Sequence, residues 1–159
     1  MIVADAAALR TALPRNQRLL GLDLGEKTIG LALSDPGLSV ASPISTIKRT
    51  KFTVDANTLL KLAAERGVGG LVIGLPLNMD GSEGPRCQST LQFAANLLKL
   101  KDFPILFWDE RMSTMAVERE MIAHDLSRAK RDKVVDQAAA AFILQGVLDS
   151  LARTKASTN

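Results

Sequence analysis

Residues 19–35 read LLGLDLGEKTIGLALSD, two apolar runs separated by a short polar turn. We therefore predict two strands of a hairpin, at residues 18–23 and 28–34, with Gly25 at the turn. Asp23 interrupts the first apolar run. Because a buried charge without a partner costs several kcal/mol, this carboxylate must be paired, protonated or bound to a metal.

The composition is that of one globular domain with a mild positive charge. The chain has 159 residues, of which 47% are hydrophobic and 23% charged, and its net charge is +3. This charge is compatible with a nucleic-acid partner, although only 4% of the residues are aromatic and few could stack on bases. Cys87 is the only cysteine, which excludes an intrachain disulfide and a cysteine-rich zinc site. The N-terminus does not resemble a signal peptide and no apolar run is long enough to span a bilayer, so we expect a cytoplasmic protein.

Strands and helices are predicted to alternate after the hairpin. A third strand is predicted at 42–48 and further strands at 70–76 and 104–108; helices are predicted at 4–13, 54–66, 88–100, 113–124 and 133–151. Gly67 is the expected stop of its helix, 77–86 a loop, and 127–133 a polar connection. This order indicates an α/β domain with a mixed sheet covered by helices. We expect an N-terminal extension at 1–17, the domain at 18–152 and a C-terminal tail at 153–159.

Acidic residues stand where strands are predicted to end and in one apolar helix. Asp23 lies at the end of the first strand, Asp109 and Glu110 directly follow the strand PILFW, and Asp136 lies within KVVDQAAAAFILQGVL. Ligands of such sheets collect at the carboxyl ends of strands. Converging carboxylates repel one another and raise their pKa values, which a hard divalent cation prevents. Two such ions, about 4 Å apart, would stabilise the attacking and leaving oxygens of phosphodiester hydrolysis.

Each acid also has an ordinary structural interpretation. Glu110 is at a strand end, where polar residues are common. Asp136 could pair with Arg131 or Lys133. Asp23 is the hardest to explain in this way, and the combination of all three favours a metal site.

Four sequence blocks resemble a known family. They are GLDLGEKTIGLALSD, VIGLPLNMDGSEGPR, DERMST and KVVDQAAAAFIL, which together span about 18–151. In this order they resemble the YqgF family, also called RuvX, of the RNase H-like superfamily. The resemblance implies an RNase H-like α/β fold with a five-stranded mixed sheet, whose first three strands are antiparallel, and helices on both faces. It implies a nuclease that matures the 5′ end of pre-16S ribosomal RNA, or a Holliday junction resolvase.

The resemblance also assigns the catalytic residues. It implies that Asp23, Glu110 and Asp136 are both catalytic and the ligands of Mg²⁺ or Mn²⁺, in a two-metal site. Glu110 is preferred over Asp109 because the RuvC-like pattern has a glutamate near the end of this strand. Neighbouring strand residues point to opposite faces, so both acids are not expected at one metal.

Substrate contacts are predicted from the loop LPLNMDGSEGPR and from basic residues. Glycine lets a backbone approach a phosphate, and a helix N-terminus favours an anion, although the same loop could be a surface turn capped by Ser82. Each basic residue taken singly is more often a solvated charge. The predicted substrate-binding residues are Lys27, Asn78, Gly81, Ser82, Arg86, Arg111, Arg131 and Lys133.

Two other classes of protein compete with the nuclease. The Gly-x-Asp-x-Gly turn also resembles the phosphate loop of actin-like sugar kinases, but these need two such domains, for which 159 residues are too few. A non-catalytic nucleic-acid or ribosome-associated module could keep the fold. As partners we expect precursor ribosomal RNA in a pre-ribosomal particle, or branched DNA, and no membrane. A junction resolvase should be a two-fold homodimer, whereas an RNA-trimming enzyme could act as a monomer.

Overall fold

The computed structural model describes residues 1–78, 80–110 and 128–158. The elements in these ranges are β1 (Ile2–Val3), α1 (Ala6–Ala12), β2 (Arg18–Leu24), β3 (Thr28–Ser34), β4 (Ala41–Lys48), α2 (Phe52–Arg66), β5 (Val68–Leu75), α3 (Pro85–Leu100), β6 (Ile105–Asp109) and α4 (Arg128–Thr158). The helix predicted at 113–124 lies outside the described residues.

The strands form one mixed sheet in the order β1-β6-β5-β2-β3-β4. β2, β3 and β4 are antiparallel, as expected, whereas β5 and β6 continue the sheet parallel to β2. The predicted count of five strands was wrong, because Ile2 and Val3 add a sixth by pairing in parallel with Ile105 and Leu106 of β6. A strand of two residues is too short to show an alternating pattern.

Two hydrophobic layers cover the two faces of the sheet. Leu22 and Leu24 of β2 pack with Phe93 of α3 and with α2 on one face. Leu19 of β2 packs with Leu9 of α1 and with α4 on the other. Successive strand residues point to opposite faces, so Asp23 faces the side covered by α4.

One helix boundary agrees with the prediction from the sequence and another does not. Gly67 ends α2 in the left-handed conformation, with φ of 65°, as the sequence indicated. α4 begins at Arg128, so the polar connection predicted at 127–133 was wrong over the described part, 128–133. Lysine and arginine are good helix formers, but a helical turn made of polar residues lacks the apolar face from which a helix is predicted. None of the helices in the described ranges is both long and apolar enough to cross a membrane.

Candidate functional site

One row of residues crosses the sheet on the face covered by α4. Asp23 of β2 pairs with Gly30 of β3, and the parallel register of β2 and β5 continues to place Gly74 beside Asp23. Gly74 in turn pairs with Trp108 of β6. Residues paired across strands point to the same face. The row therefore runs Gly30, Asp23, Gly74, Trp108, at the carboxyl ends of the three parallel strands.

The Glu110 side chain lies over Gly74 in this row. A Cβ atom on Gly74 would lie 2.7 Å from Glu110 Oε1 and 2.5 Å from the Cδ1 of Ile143 in α4. Glycine thus leaves the space that Glu110 occupies. Asp109 pairs with Leu75, one position beyond the row, and strand alternation directs it to the other face. Of the two neighbouring acids, Glu110 is the one on the Asp23 face of the sheet, over Gly74.

The other end of the row lies under Asp136 of α4. A Cβ atom on Gly30 would overlap the backbone carbonyl oxygen of Asp136, so helix and strand are in direct contact here. The Asp136 carboxylate accepts a hydrogen bond from the Thr28 hydroxyl on β3. Asp136 therefore lies over β3, the strand that pairs with β2, which carries Asp23.

Burial makes Asp23 electrostatically distinct from the other two acids. Its side chain is 3% exposed, whereas Glu110 and Asp136 are half-buried. An ionised carboxylate at such depth requires compensating interactions. The three acids offer only oxygen donors, which is the chemistry a hard divalent cation selects.

The three acids do not form a closed metal site among the described side chains. Among the side chains that the structure describes, those of residues 1–78, 80–110 and 136–153, no group of three or more His, Cys, Asp or Glu could hold a metal ion. The Asp136 carboxylate is engaged by Thr28. The carboxylate oxygens fit a divalent cation, and the three acids lie on or over the neighbouring strands β2, β3 and β5.

Thr28 was not singled out in the sequence. Its partner Asp136 is 108 residues away in the chain, so no local pattern could link the two. The hydroxyl fixes one carboxylate oxygen of Asp136 and thereby its orientation toward β3.

We expect Thr28→Val to reduce the nucleic-acid cleavage predicted from the sequence about 10-fold, because valine keeps the shape but removes one hydrogen bond to a carboxylate, worth about 1.5 kcal/mol. Thr28→Ser, which keeps the hydroxyl, is the matched control and should retain most activity. Initial rates at several Mg²⁺ concentrations would show whether Thr28→Val also needs more metal. Equal rates for both variants would mean that the hydrogen bond does not position Asp136.

The predicted phosphate loop bonds mainly to itself. The Asn78 side-chain amide donates to the Ser82 hydroxyl at 3.0 Å. The Ser82 N–H and hydroxyl donate to Asp80, at 2.9 and 2.6 Å. Gly81 has φ of 88°, a conformation that suits glycine. The polar groups of Asn78 and Ser82 thus hold the turn together, and Asp80 places a negative charge within it.

The structure describes only some of the basic residues that are predicted to bind substrate. Lys27 is exposed in the turn between β2 and β3. Arg86, in the first turn of α3, donates to the carbonyl of Leu24 at 3.3 Å. Arg111 lies outside the described residues. Arg131 and Lys133 lie on α4, and their side chains are also outside the described part.

Two ionisable groups away from the row have shifted pKa values. The N–H groups of Val40 and Ser39 donate to Asp35 and lower its pKa, which stabilises the turn between β3 and β4. Asp35 therefore contributes stability above its unfolded pKa, and this is lost as the pH falls through the lower folded value. Burial raises the pKa of the Cys87 thiol, and Glu83 adds to the effect.

Sequence comparisons place residues 17–150 in a known family. They match the model of RuvX, described as Holliday junction resolvase. A Rhodospirillum centenum protein named "Putative pre-16S rRNA nuclease" is 59% identical over 156 residues, covering 95% of this chain and 83% of that protein. A Rhodopseudomonas palustris (strain TIE-1) protein of the same name is 64% identical over 139 residues, covering 87% of each.

Structural comparison shows the same fold in proteins of much lower sequence similarity. The T. thermophilus RuvC in complex with Holliday junction substrate superposes with a TM-score of 0.55 at 9% identity, covering 86% of this chain and 96% of that one. Fowlpox virus resolvase in complex with its substrate Holliday junction DNA gives 0.51 at 12% identity, covering 85% and 99%. The described chain therefore has the RuvC-like, RNase H-like fold.

Proposed function

Because the chain belongs to the RuvX family of Holliday junction resolvases, we propose that it is a metal-dependent nuclease that processes the 5′ end of pre-16S ribosomal RNA. The observation that carries the proposal is the position of Asp23 in the row, with Glu110 over the adjacent Gly74 and Asp136 over the adjacent Gly30. Names of relatives at 59% and 64% identity support the RNA substrate. Such an enzyme is a hydrolase that acts on phosphodiester bonds. The cytoplasmic location, the pre-ribosomal partner and the oligomeric state stay predictions.

Asp23, Glu110 and Asp136 are the residues that would hold Mg²⁺ or Mn²⁺. Bound there, a pair of such ions would supply charge stabilisation for the attacking and leaving oxygens. The protein contributes position: β2 holds Asp23 within the sheet, Gly74 leaves room for Glu110, and Thr28 orients Asp136. Burial of Asp23 lowers the local dielectric and strengthens its attraction for a cation.

Basic residues around the strand ends would neutralise phosphate charge. Lys27 and Arg86 lie at the end of β2, next to Asp23 in sequence or in space. Arg111, Arg131 and Lys133 are proposed for the same role on the α4 side. Asn78, Gly81 and Ser82 would act through the shape of their turn, which lies before α3. Such contacts position the strand and carry no base information.

Cleavage of two substrates by one preparation tests this function. Precursor 16S RNA with its 5′ extension and a four-way DNA junction would be incubated with the protein in Mg²⁺, Mn²⁺ or a chelator. Metal-dependent shortening of the RNA is the expected result. Symmetric cleavage of the junction alone would favour the second candidate, a Holliday junction resolvase, which the family description supports. No cleavage of either would leave the non-catalytic module.

Glu110→Gln and Asp109→Asn should separate the neighbouring acids. We expect Glu110→Gln to lower turnover about 100-fold, since it removes a charge on the Asp23 face of the sheet, and Asp109→Asn to change it less than about 3-fold. Both variants lose one negative charge from adjacent positions, so each controls for the other. Melting temperatures would show that both are folded. The reverse pattern of rates would exchange the proposed roles of the two acids.

A further inference from the structure

A small cleft of about 50 Å³ opens at the end of β2, on the α2/α3 side of the sheet and therefore on the opposite side from the Asp23 row. Its lining residues are Leu24, Gly25, Glu26, Arg49, Arg86, Ser89 and Thr90. Leu24 and Gly25 directly follow Asp23 in the chain. With about 3.3 Å per strand residue, the cleft begins within roughly 7 Å of Asp23.

Two arginines are held in this cleft by backbone carbonyl groups. Arg49 donates to the carbonyl of Gly25 at 2.6 Å, and its guanidinium lies 5.7 Å from the centre of the Phe93 ring. Arg86 donates to the carbonyl of Leu24 at 3.3 Å. Each guanidinium has five N–H donors, and these bonds use one from each. Both arginines are thus oriented while most of their donors stay available.

No carboxylate neutralises either arginine within the ranges that the structure describes. The ion pair that these ranges contain joins the N-terminal ammonium group to Asp102, and neither residue lines the cleft. Glu26 lines the cleft and is exposed, but it makes no ion pair with Arg49 or Arg86. The cleft itself therefore has two positive charges and one negative charge.

Further cations surround the same turn of the protein. Lys27 is exposed in the turn between β2 and β3, and Lys48 pairs with Thr28 at the adjacent end of β4. Lys51 is exposed and precedes α2. The residues 48–51, KRTK, thus bring three cations close to the turn between β2 and β3. Together they produce a positive potential that attracts a polyanion.

We propose that Arg49 and Arg86 each bind a backbone phosphate of the nucleic-acid substrate in this cleft. The inference rests on the proposed nuclease function and extends it to a binding site across the end of β2. A planar guanidinium presents two parallel N–H donors that match two phosphate oxygens. Nucleic acid reaching the Asp23 row would continue around the end of β2 to the cleft. Arg49, which the sequence did not single out, is the new residue in this assignment.

Binding as a function of salt tests the cleft without requiring cleavage. Fluorescence anisotropy would measure the affinity for a labelled single-stranded RNA, and for DNA of the same sequence, with Ca²⁺ in place of Mg²⁺. The variants are Arg49→Gln, Arg86→Gln and the double substitution. Arg66→Gln is the matched control, because Arg66 is exposed in the last turn of α2, beside the start of β2 and thus at the end of that strand away from the cleft.

Each cleft substitution should reduce the slope of log affinity against log salt by about 0.7, and the double substitution by about 1.4, for RNA and DNA alike. Arg66→Gln should leave the slope unchanged. Glu26→Gln, which removes the negative charge from the cleft, should strengthen binding at low salt. Arg49→Lys keeps the charge but not the two parallel donors, and should weaken binding while keeping most of the slope.

An unchanged slope in the double variant, or an equal decrease in Arg66→Gln, would overturn the cleft assignment. Arg86→Gln protects the test if Arg49→Gln fails to fold, because the Arg86 side chain is exposed. Different results would reject the cleft assignment and the nuclease function. Cleavage by the wild-type protein with an unchanged slope in the double variant rejects only the cleft. The expected slopes without cleavage of any nucleic acid reject only the nuclease.

Discussion

Asp23→Asn should reduce nucleic-acid cleavage by a factor of about 10³ or more while the protein stays folded. Asp23 is 3% exposed at the centre of the row, with Glu110 over one neighbouring strand and Asp136 over the other. Asparagine has nearly the same shape but no charge, so the substitution removes the buried negative charge that would attract a divalent cation. Rates of precursor cleavage in Mg²⁺ would measure the loss.

Thermal unfolding gives this prediction a second readout. Mg²⁺ or Mn²⁺ should raise the melting temperature of the wild-type protein, because a ligand that binds only the folded state stabilises it. The increase should shrink in Asp23→Asn. Without metal the variant should be at least as stable as the wild type, since it loses repulsion between carboxylates.

Asp109→Asn is the matched control for Asp23→Asn, because it makes the same change in charge on the opposite face of the sheet. It should keep both the cleavage rate and the metal-dependent increase in melting temperature. Full cleavage by Asp23→Asn, in particular with a chelator present, would remove Asp23 from the site.

Gly30→Ala should destabilise the protein by about 3 kcal/mol, at the upper end of the usual cost of overpacking. A Cβ atom on Gly30 would overlap the backbone carbonyl of Asp136, so either α4 or β3 must move. Backbone cannot rotate away as the end of a side chain can. Urea unfolding monitored by circular dichroism would give the free energy, and the cleavage rate should fall as well, because Asp136 is displaced.

Gly74→Ala is the matched control, since both glycines lie in the same row of the same sheet. Its Cβ would meet the ends of two side chains, Ile143 at 2.5 Å and Glu110 at 2.7 Å, which can turn away. We expect about 1 kcal/mol of destabilisation but a larger loss of cleavage, because Glu110 is displaced. Wild-type stability of Gly30→Ala would contradict the close contact of α4 with β3.

Local patterns in the sequence were sufficient to predict most of the elements. The apolar runs around Gly25 predicted β2 and β3, and Gly67 marked the end of α2 because glycine adopts positive φ without strain. These features depend on residues close together in the chain. The same is true of Asp23, whose charge within an apolar strand marked it before any fold was known.

Contacts between distant parts of the chain were decided only by the tertiary structure. Neither β1, which exists because β6 offers it a partner, nor the Thr28–Asp136 hydrogen bond across 108 residues has a local pattern. Arg49 became a candidate only when the fold placed it beside Arg86 in one cleft. Residue type and spacing predict which groups are suited to a site, because propensity and burial act locally. Strand register and helix packing determine which of them meet, because these depend on the whole sheet.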